Sequence, residues 1–187
     1  MKEDKNRVCP VEQAGSLDNK LRRWLQNPKR ILSPFVREGM KVLDIGCGPG
    51  FFSIELAKMV GSNGRVFAAD LQEGMLNKLR AKKSGTTLEE IIRTVKCEEN
   101  NINITERMDF ILAFYMIHEV PDKPELFKSF KNILNENGTV LVVEPKFFHV
   151  TKKEFASTMG IAEQAGFKVS PGPKLAFSFS SILKSSD

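Results

Sequence analysis

Apolar residues along this chain follow two spacings in turn. Short runs rich in branched and aromatic side chains stand at 41–45 (KVLDI), 65–70 (RVFAAD), 91–97 (IIRTVKC), 108–114 (MDFILAF) and 139–144 (TVLVVE). Between them, apolar positions recur at helical spacing over 51–60, 74–84 and 124–135. Nearly continuous apolar strands that alternate with helices predict a parallel sheet covered on both faces. GSNG at 61–64 and NENG at 135–138 place glycine where two of these helices should stop. Beyond 144 a helix is predicted over 152–165, closed by Gly166, followed by strand-like runs at 167–170 and 175–183 that Pro-Gly-Pro separates. So short a connection predicts an antiparallel hairpin, because a parallel crossover needs about a dozen residues or more. Ahead of residue 38 two short helices are predicted, at 17–25 and 28–36, the second opened by Asn27 as N-cap and Pro28 at its first position. The expected fold class is α/β: a seven-stranded, mostly parallel sheet with a C-terminal antiparallel hairpin and helices on both faces. Residues 1–37 would form a helical cap and 38–187 the main domain.

Composition changes this picture little. With 187 residues, 41% hydrophobic and 27% charged, the chain has the size of one ordinary domain. A net charge of +5 and a pI near 9.1 are read as a solvated surface in preference to a polyanion-binding face. Cys9, Cys47 and Cys97 follow no CxxC spacing, so neither a disulfide framework nor a zinc site is indicated. The first residues lack an apolar leader, and the longest apolar run, 110–117, falls far short of the ~18 residues of a membrane span. A cytoplasmic protein with no membrane partner is expected.

The chemistry concentrates in LDIGCGPGFF at 43–52, where Gly46, Gly48 and Gly50 follow one strand and precede one helix. A glycine-rich turn there lets backbone approach a ligand at the carboxyl edge of the sheet. The dinucleotide fingerprint G-x-G-x-x-G/A is not met, since bulky Phe51 and Phe52 follow the third glycine and acidic Asp44 precedes the first. Asp70 ends the next strand 20 residues beyond Gly50, close to the spacing of about 20 at which a carboxylate meets ribose hydroxyls.

With Asp44, three glycines and Asp70 so arranged, the chain resembles the class I S-adenosylmethionine-dependent methyltransferases, in particular the small-molecule branch that includes the ubiquinone and menaquinone methyltransferases. The resemblance covers roughly residues 36–183 and rests chiefly on VLDIGCGPG. It implies a Rossmann-like sheet with S-adenosylmethionine as cofactor. It further implies Asp44 near the methionine ammonium, Gly46, Gly48 and Gly50 as the turn beneath it, Asp70 on the ribose, and Leu71 and Met75 beside the adenine. KCEEN at 96–100 stands where many members carry Gly-Asp-Ala, so Cys97 or Glu98 takes the place of the residue that meets the adenine amine. DFILAFYMIHEVPD at 109–122 resembles the strand-four signature, with the Ala113 carbonyl toward the cofactor and His118 just past the strand.

His118 and His149 are the two histidines of the chain, and both are predicted at the carboxyl edge, where either could serve as base toward an acceptor. Equally, His118 could cap the following turn. Phe147 and Phe148 could form an aromatic wall or belong to the core, and no metal site is expected. The segment after strand four reads AFYM and lacks the Asn/Asp-Pro-Pro-aromatic motif of amino-nitrogen methyltransferases. A small-molecule acceptor, covered by the N-terminal segment around Trp24, is therefore expected, and nucleic acid is not favoured. The competing readings are an RNA or protein methyltransferase and an S-adenosylmethionine-binding module without catalysis.

Overall fold

The computed structural model describes residues 26–146 and 150–186. Seven strands form one sheet: β1 Lys41–Ile45, β2 Arg65–Asp70, β3 Ile92–Lys96, β4 Met108–Phe114, β5 Leu134–Pro145, β6 Phe167–Pro171 and β7 Ser178–Ser185, in the order β3-β2-β1-β4-β5-β7-β6. β1 to β5 are parallel, and β7 enters antiparallel between β5 and β6. This is the mostly parallel seven-stranded sheet with a C-terminal hairpin that the apolar pattern predicts, and the Rossmann-like arrangement that the resemblance implies. The helices are α1 Pro28–Leu32, α2 Ser53–Val60, α3 Glu73–Lys83, α4 Leu88–Ile91, α5 Lys123–Ile133 and α6 Lys152–Gln164.

Because side chains alternate across a strand, each apolar run supplies two cores at once. Leu43, Phe67, Ile111 and Val142 face α5 and α6, meeting Phe127, Phe130, Met159 and Ala162. Val42, Val66, Phe110 and Leu141 face the other way, against Leu32 of α1, Leu56 and Val60 of α2, and Leu76 and Leu79 of α3. Both layers are therefore fixed by the same four central strands. The register that aligns Asp44 with Ala68 and Leu112 also brings the carboxyl ends of β1, β2 and β4 to one edge.

Several local expectations are revised. α1 ends at Leu32, short of the predicted 28–36: Ser33 still has helical backbone angles, but Pro34 has no N–H with which to continue the ladder. Arg37 then closes the turn by donating to the carbonyls of Ser33 (2.7 Å) and Val36 (2.9 Å). NENG does not end α5 in a glycine cap: the helix stops at Ile133, and Leu134 already has the extended conformation of β5. Leu134 pairs with Met108 and Thr139 with Phe110, so residues 135–138 bulge out of the ladder. The hairpin is looser than Pro-Gly-Pro implied, with β6 ending at Pro171 and β7 starting at Ser178. The predicted helix at 17–25 lies outside the described residues.

α5 shows how one helix is tied to this scaffold. Asp122 caps it by accepting the Glu125 N–H at 3.0 Å, Pro124 stands in its first turn, and Phe127 and Phe130, one turn apart, are wholly buried. The expected consequence of Phe130→Ala is a loss of about 3–5 kcal/mol of stability, read from the urea midpoint at unchanged denaturant slope.

Candidate functional site

A cavity of about 920 Å³ opens at the carboxyl ends of β1, β2 and β4, large enough for a small-molecule ligand. Its floor is the turn after β1. Asp70, at the end of β2, accepts the Gly48 N–H through Oδ2 at 2.8 Å and the Gln72 N–H through Oδ1 at 2.8 Å. From the other side, the Lys82 ammonium donates to the Pro49 carbonyl at 2.9 Å. The turn is thus held from two directions, with its backbone exposed to the cavity.

The three glycines serve different ends. At Gly46 a Cβ would lie 2.8 Å from the Cβ of Met116, so the turn passes too close to the segment after β4 for any side chain. Gly48 has φ +53° and nothing within 4 Å of a Cβ position, so its left-handed backbone leaves open space where a ligand can approach. Gly50 is absent from the cavity lining; a Cβ there would lie 2.4 Å from Cδ1 of Leu79, which makes it the contact that lets α3 pack down. Of the three glycines expected beneath a ligand, Gly46 and Gly48 line the cavity and Gly50 packs against α3.

Asp44 is buried and receives the Ser53 hydroxyl at 2.5 Å, which links the end of β1 to the start of α2. Burial pushes the Asp70 carboxyl above the usual range against the pull of its two N–H donors and of Lys96. Two of its four lone-pair positions are taken, leaving acceptor capacity for hydroxyl groups in the cavity. Leu71 and Met75 line the same side. Cys97 and Glu98 do as well, in a tight turn where Glu98 and Asn101 exchange backbone hydrogen bonds of 2.8 and 3.3 Å.

Neither thiol is fit for nucleophilic chemistry. Burial, followed by the charge of Asp70, pushes Cys97 up to about 11. Cys47 is raised well above the usual thiol range by burial and then by Asp44, Asp70 and Cys97.

Ala113 is fully buried between Ile45 and Val142, and the residues that reach the cavity are Phe114, Tyr115 and Met116. Tyr115 has φ +59°, a conformation uncommon for an aromatic residue. Three bonds hold it there: its N–H donates to the Val143 carbonyl (2.8 Å), and its hydroxyl meets Ser178 Oγ (2.5 Å) and receives the Gln26 amide (2.7 Å). Phe51, Phe52, Phe114 and Tyr115 form a continuous aromatic wall, with ring centroids 5.0, 4.3 and 4.5 Å apart in succession. Phe147 and Phe148, for which the sequence leaves an aromatic wall and core packing both open, lie outside the described residues, as does His149. Sequence reading missed Tyr115 and Gln26, whose convergence depends on a left-handed residue that no local signal marks.

His118 is not among the residues lining this cavity. It faces a smaller one of about 280 Å³ on the far side of the turn, shared with Glu144, Lys123 and residues of α6. The large cavity is acidic. Among the described residues it is lined by Asp44 and Asp70 on the strand ends and by Glu98, Glu99, Glu119, Asp122 and Glu125 toward the rim, with no lysine, arginine or histidine. An open cradle at Gly48, a carboxylate with spare acceptor capacity and an acidic surround fit a cationic nucleoside such as S-adenosylmethionine. Among the described residues no group of three or more histidine, cysteine, aspartate or glutamate side chains is placed to hold a metal.

The family described as methyltransferase domain matches residues 36–173. A demethylmenaquinone methyltransferase of Staphylococcus aureus (strain MRSA252) is 31% identical over 118 residues, 62% of this chain and 48% of that protein. The ubiquinone/menaquinone biosynthesis C-methyltransferase UbiE of Idiomarina loihiensis is 31% identical over 110 residues, 58% of this chain and 44% of that one. The chain therefore spans about half the length of these two relatives. In structure it is similar to a SAM-dependent methyltransferase from Aquifex aeolicus, with a TM-score of 0.84 at 28% identity over 94% of this chain and 98% of that one. A TehB-like SAM-dependent methyltransferase from Corynebacterium glutamicum shares the fold, with a TM-score of 0.70 at 16% identity over 93% and 92% of the two chains.

The raised thiols generate a direct check. In the folded protein near neutral pH, Cys47 and Cys97 should resist iodoacetamide, while urea-unfolded chain is alkylated at both, as read by mass spectrometry of the peptides.

Proposed function

This chain belongs to the S-adenosylmethionine-dependent methyltransferase domain family, and we propose that it transfers the methyl group of that cofactor to a small, uncharged or cationic acceptor held against the aromatic wall. The observation that carries the reading is the Asp70–Gly48 hydrogen bond at the floor of a cavity of about 920 Å³. In this reading Asp70 takes the ribose hydroxyls on its free lone pairs, Leu71 and Met75 flank the adenine, and Cys97 and Glu98 border its amine. Asp44 draws the methionine ammonium to the turn at Gly46 and Gly48.

When bound, the cofactor supplies an already activated methyl on a sulfonium, so the protein's task is alignment and exclusion of water. Phe51, Phe52, Phe114 and Tyr115 suit that task, offering flat apolar surface around the reacting atoms. The acidic lining supports a small acceptor over RNA, since a polyanion would meet seven carboxylates and no compensating cation among the described lining residues. The two relatives are named for menaquinone and ubiquinone, and uncharged aromatic compounds of that class are the first acceptors to try. Residues 1–37 serve in this reading as the cover, which is supported by Gln26, where the described chain begins, lining the cavity. The two free, buried thiols suit a reducing cytoplasm, and among the described residues no helix is long and apolar enough to cross a membrane.

Calorimetric titration tests this directly. S-adenosylhomocysteine should bind and NADH should not; absence of S-adenosylhomocysteine binding would sink the proposal. Asp70→Ala should weaken that binding tenfold or more. It should also cost about 1–3 kcal/mol of stability by thermal denaturation, because the carboxylate also satisfies the Gly48 and Gln72 N–H groups. With bound cofactor established, release of homocysteine from a screen of quinols and phenols then reads acceptor use.

A further inference from the structure

Glu144, near the end of β5, is only 2% exposed, yet it is a carboxylate, and both its oxygens are engaged with the turn that follows β4. Oε1 accepts the Ile117 N–H at 2.9 Å, and Oε2 lies 2.5 Å from Nδ1 of His118. The other ring nitrogen, Nε2, lies 4.0 Å from Oε1 of Glu119. These three residues do not share one cavity: Glu144 and His118 line the smaller one, and Glu119 lines the large acidic one. A carboxylate–imidazole–carboxylate row therefore crosses the wall between them, its first carboxylate on β5 and its other two groups on the short helical turn Ile117–Glu119.

We propose that Glu144, His118 and Glu119 act as one positioning unit, in which a proton on His118 holds Glu119 in place in the lining of the large cavity and senses the charge bound there. This rests on the reading of that cavity as the sulfonium cofactor's site. It assigns His118 to holding the wall, and the residue of the unit that faces a ligand is Glu119. The charged groups facing the imidazole are Glu144 from β5, Glu119 on its own turn, Lys123 at the start of α5 and Glu154 from α6. Burial pulls the His118 pKa down, but the hydrogen bond and charge of Glu144, with Glu119 beyond, outweigh it and leave the ring above the ordinary histidine value. With the folded value raised, the unit's contribution is full below about pH 6.5, the unfolded value, and is lost as pH rises through the folded one.

The chain has two histidines, so NMR of the ring carbons can follow His118 in the full protein, with His149→Gln to assign it. Glu144→Gln should lower the His118 titration midpoint by about one pH unit or more, and Glu119→Gln, which is partly exposed and safe for folding, should lower it by less. Saturating S-adenosylmethionine should lower the midpoint below that with S-adenosylhomocysteine, and Glu119→Gln should at least halve this difference. A midpoint indifferent to Glu119→Gln and equal with both ligands would overturn the proposal and leave a static Glu144–His118 clamp. If calorimetry shows that neither ligand binds, the cofactor reading fails, while the effect of Glu119→Gln in the free protein still decides whether the row exists.

Discussion

A single buried carboxylate sets the geometry of this edge of the sheet. Asp70 ends β2, and by accepting the Gly48 and Gln72 N–H groups it ties the turn after β1 to the start of α3. The same interaction makes the site receptive. A carboxylate only 7% exposed resists ionisation, and the two backbone donors offset that resistance in part. Further donors from a ligand would complete the compensation, so the residue that holds the turn also gains from a bound ligand. Removing it cannot be a purely functional perturbation.

The rest of the fold serves to bring that carboxylate, the turn and the segment after β4 within reach of one another. Alternating apolar positions in β1, β2, β4 and β5 commit both faces to helices, and the parallel register leaves the strand ends level. Tight packing at the edge then follows. Gly46 sits under the Cβ of Met116, which leaves no room for a side chain, and Gly50, at φ +87°, sits under the tip of Leu79. Tyr115 is held in a left-handed conformation by partners on β5 and β7 and by Gln26, so the C-terminal hairpin and the first described residue both support the aromatic wall.

What was legible in the sequence was what local pattern encodes. Strand and helix order came from apolar spacing, and the turn came from glycines between two such runs with an acid at the end of the next strand. What was not legible depends on partners distant in the chain. Gly50 looks like Gly48 until Leu79, 29 residues on, is seen to fill its far side. His118 is placed at the sheet edge by its position after β4, but the sense of one short helical turn decides which cavity it faces, and Glu144 on β5 fixes that sense. NENG carries the residues of a helix stop, yet pairing of Leu134 with Met108 draws the segment into a bulged strand.

The central claim, that the Asp70–Gly48 edge is the seat of the cofactor, is tested most directly by a crystal structure of the full chain with S-adenosylhomocysteine. The expected result is the ribose hydroxyls on the free lone pairs of Asp70 and the amino-acid end above Gly46 and Gly48, close to Asp44. A nucleoside seated elsewhere, with the turn and the Asp70 carboxylate untouched, would contradict it.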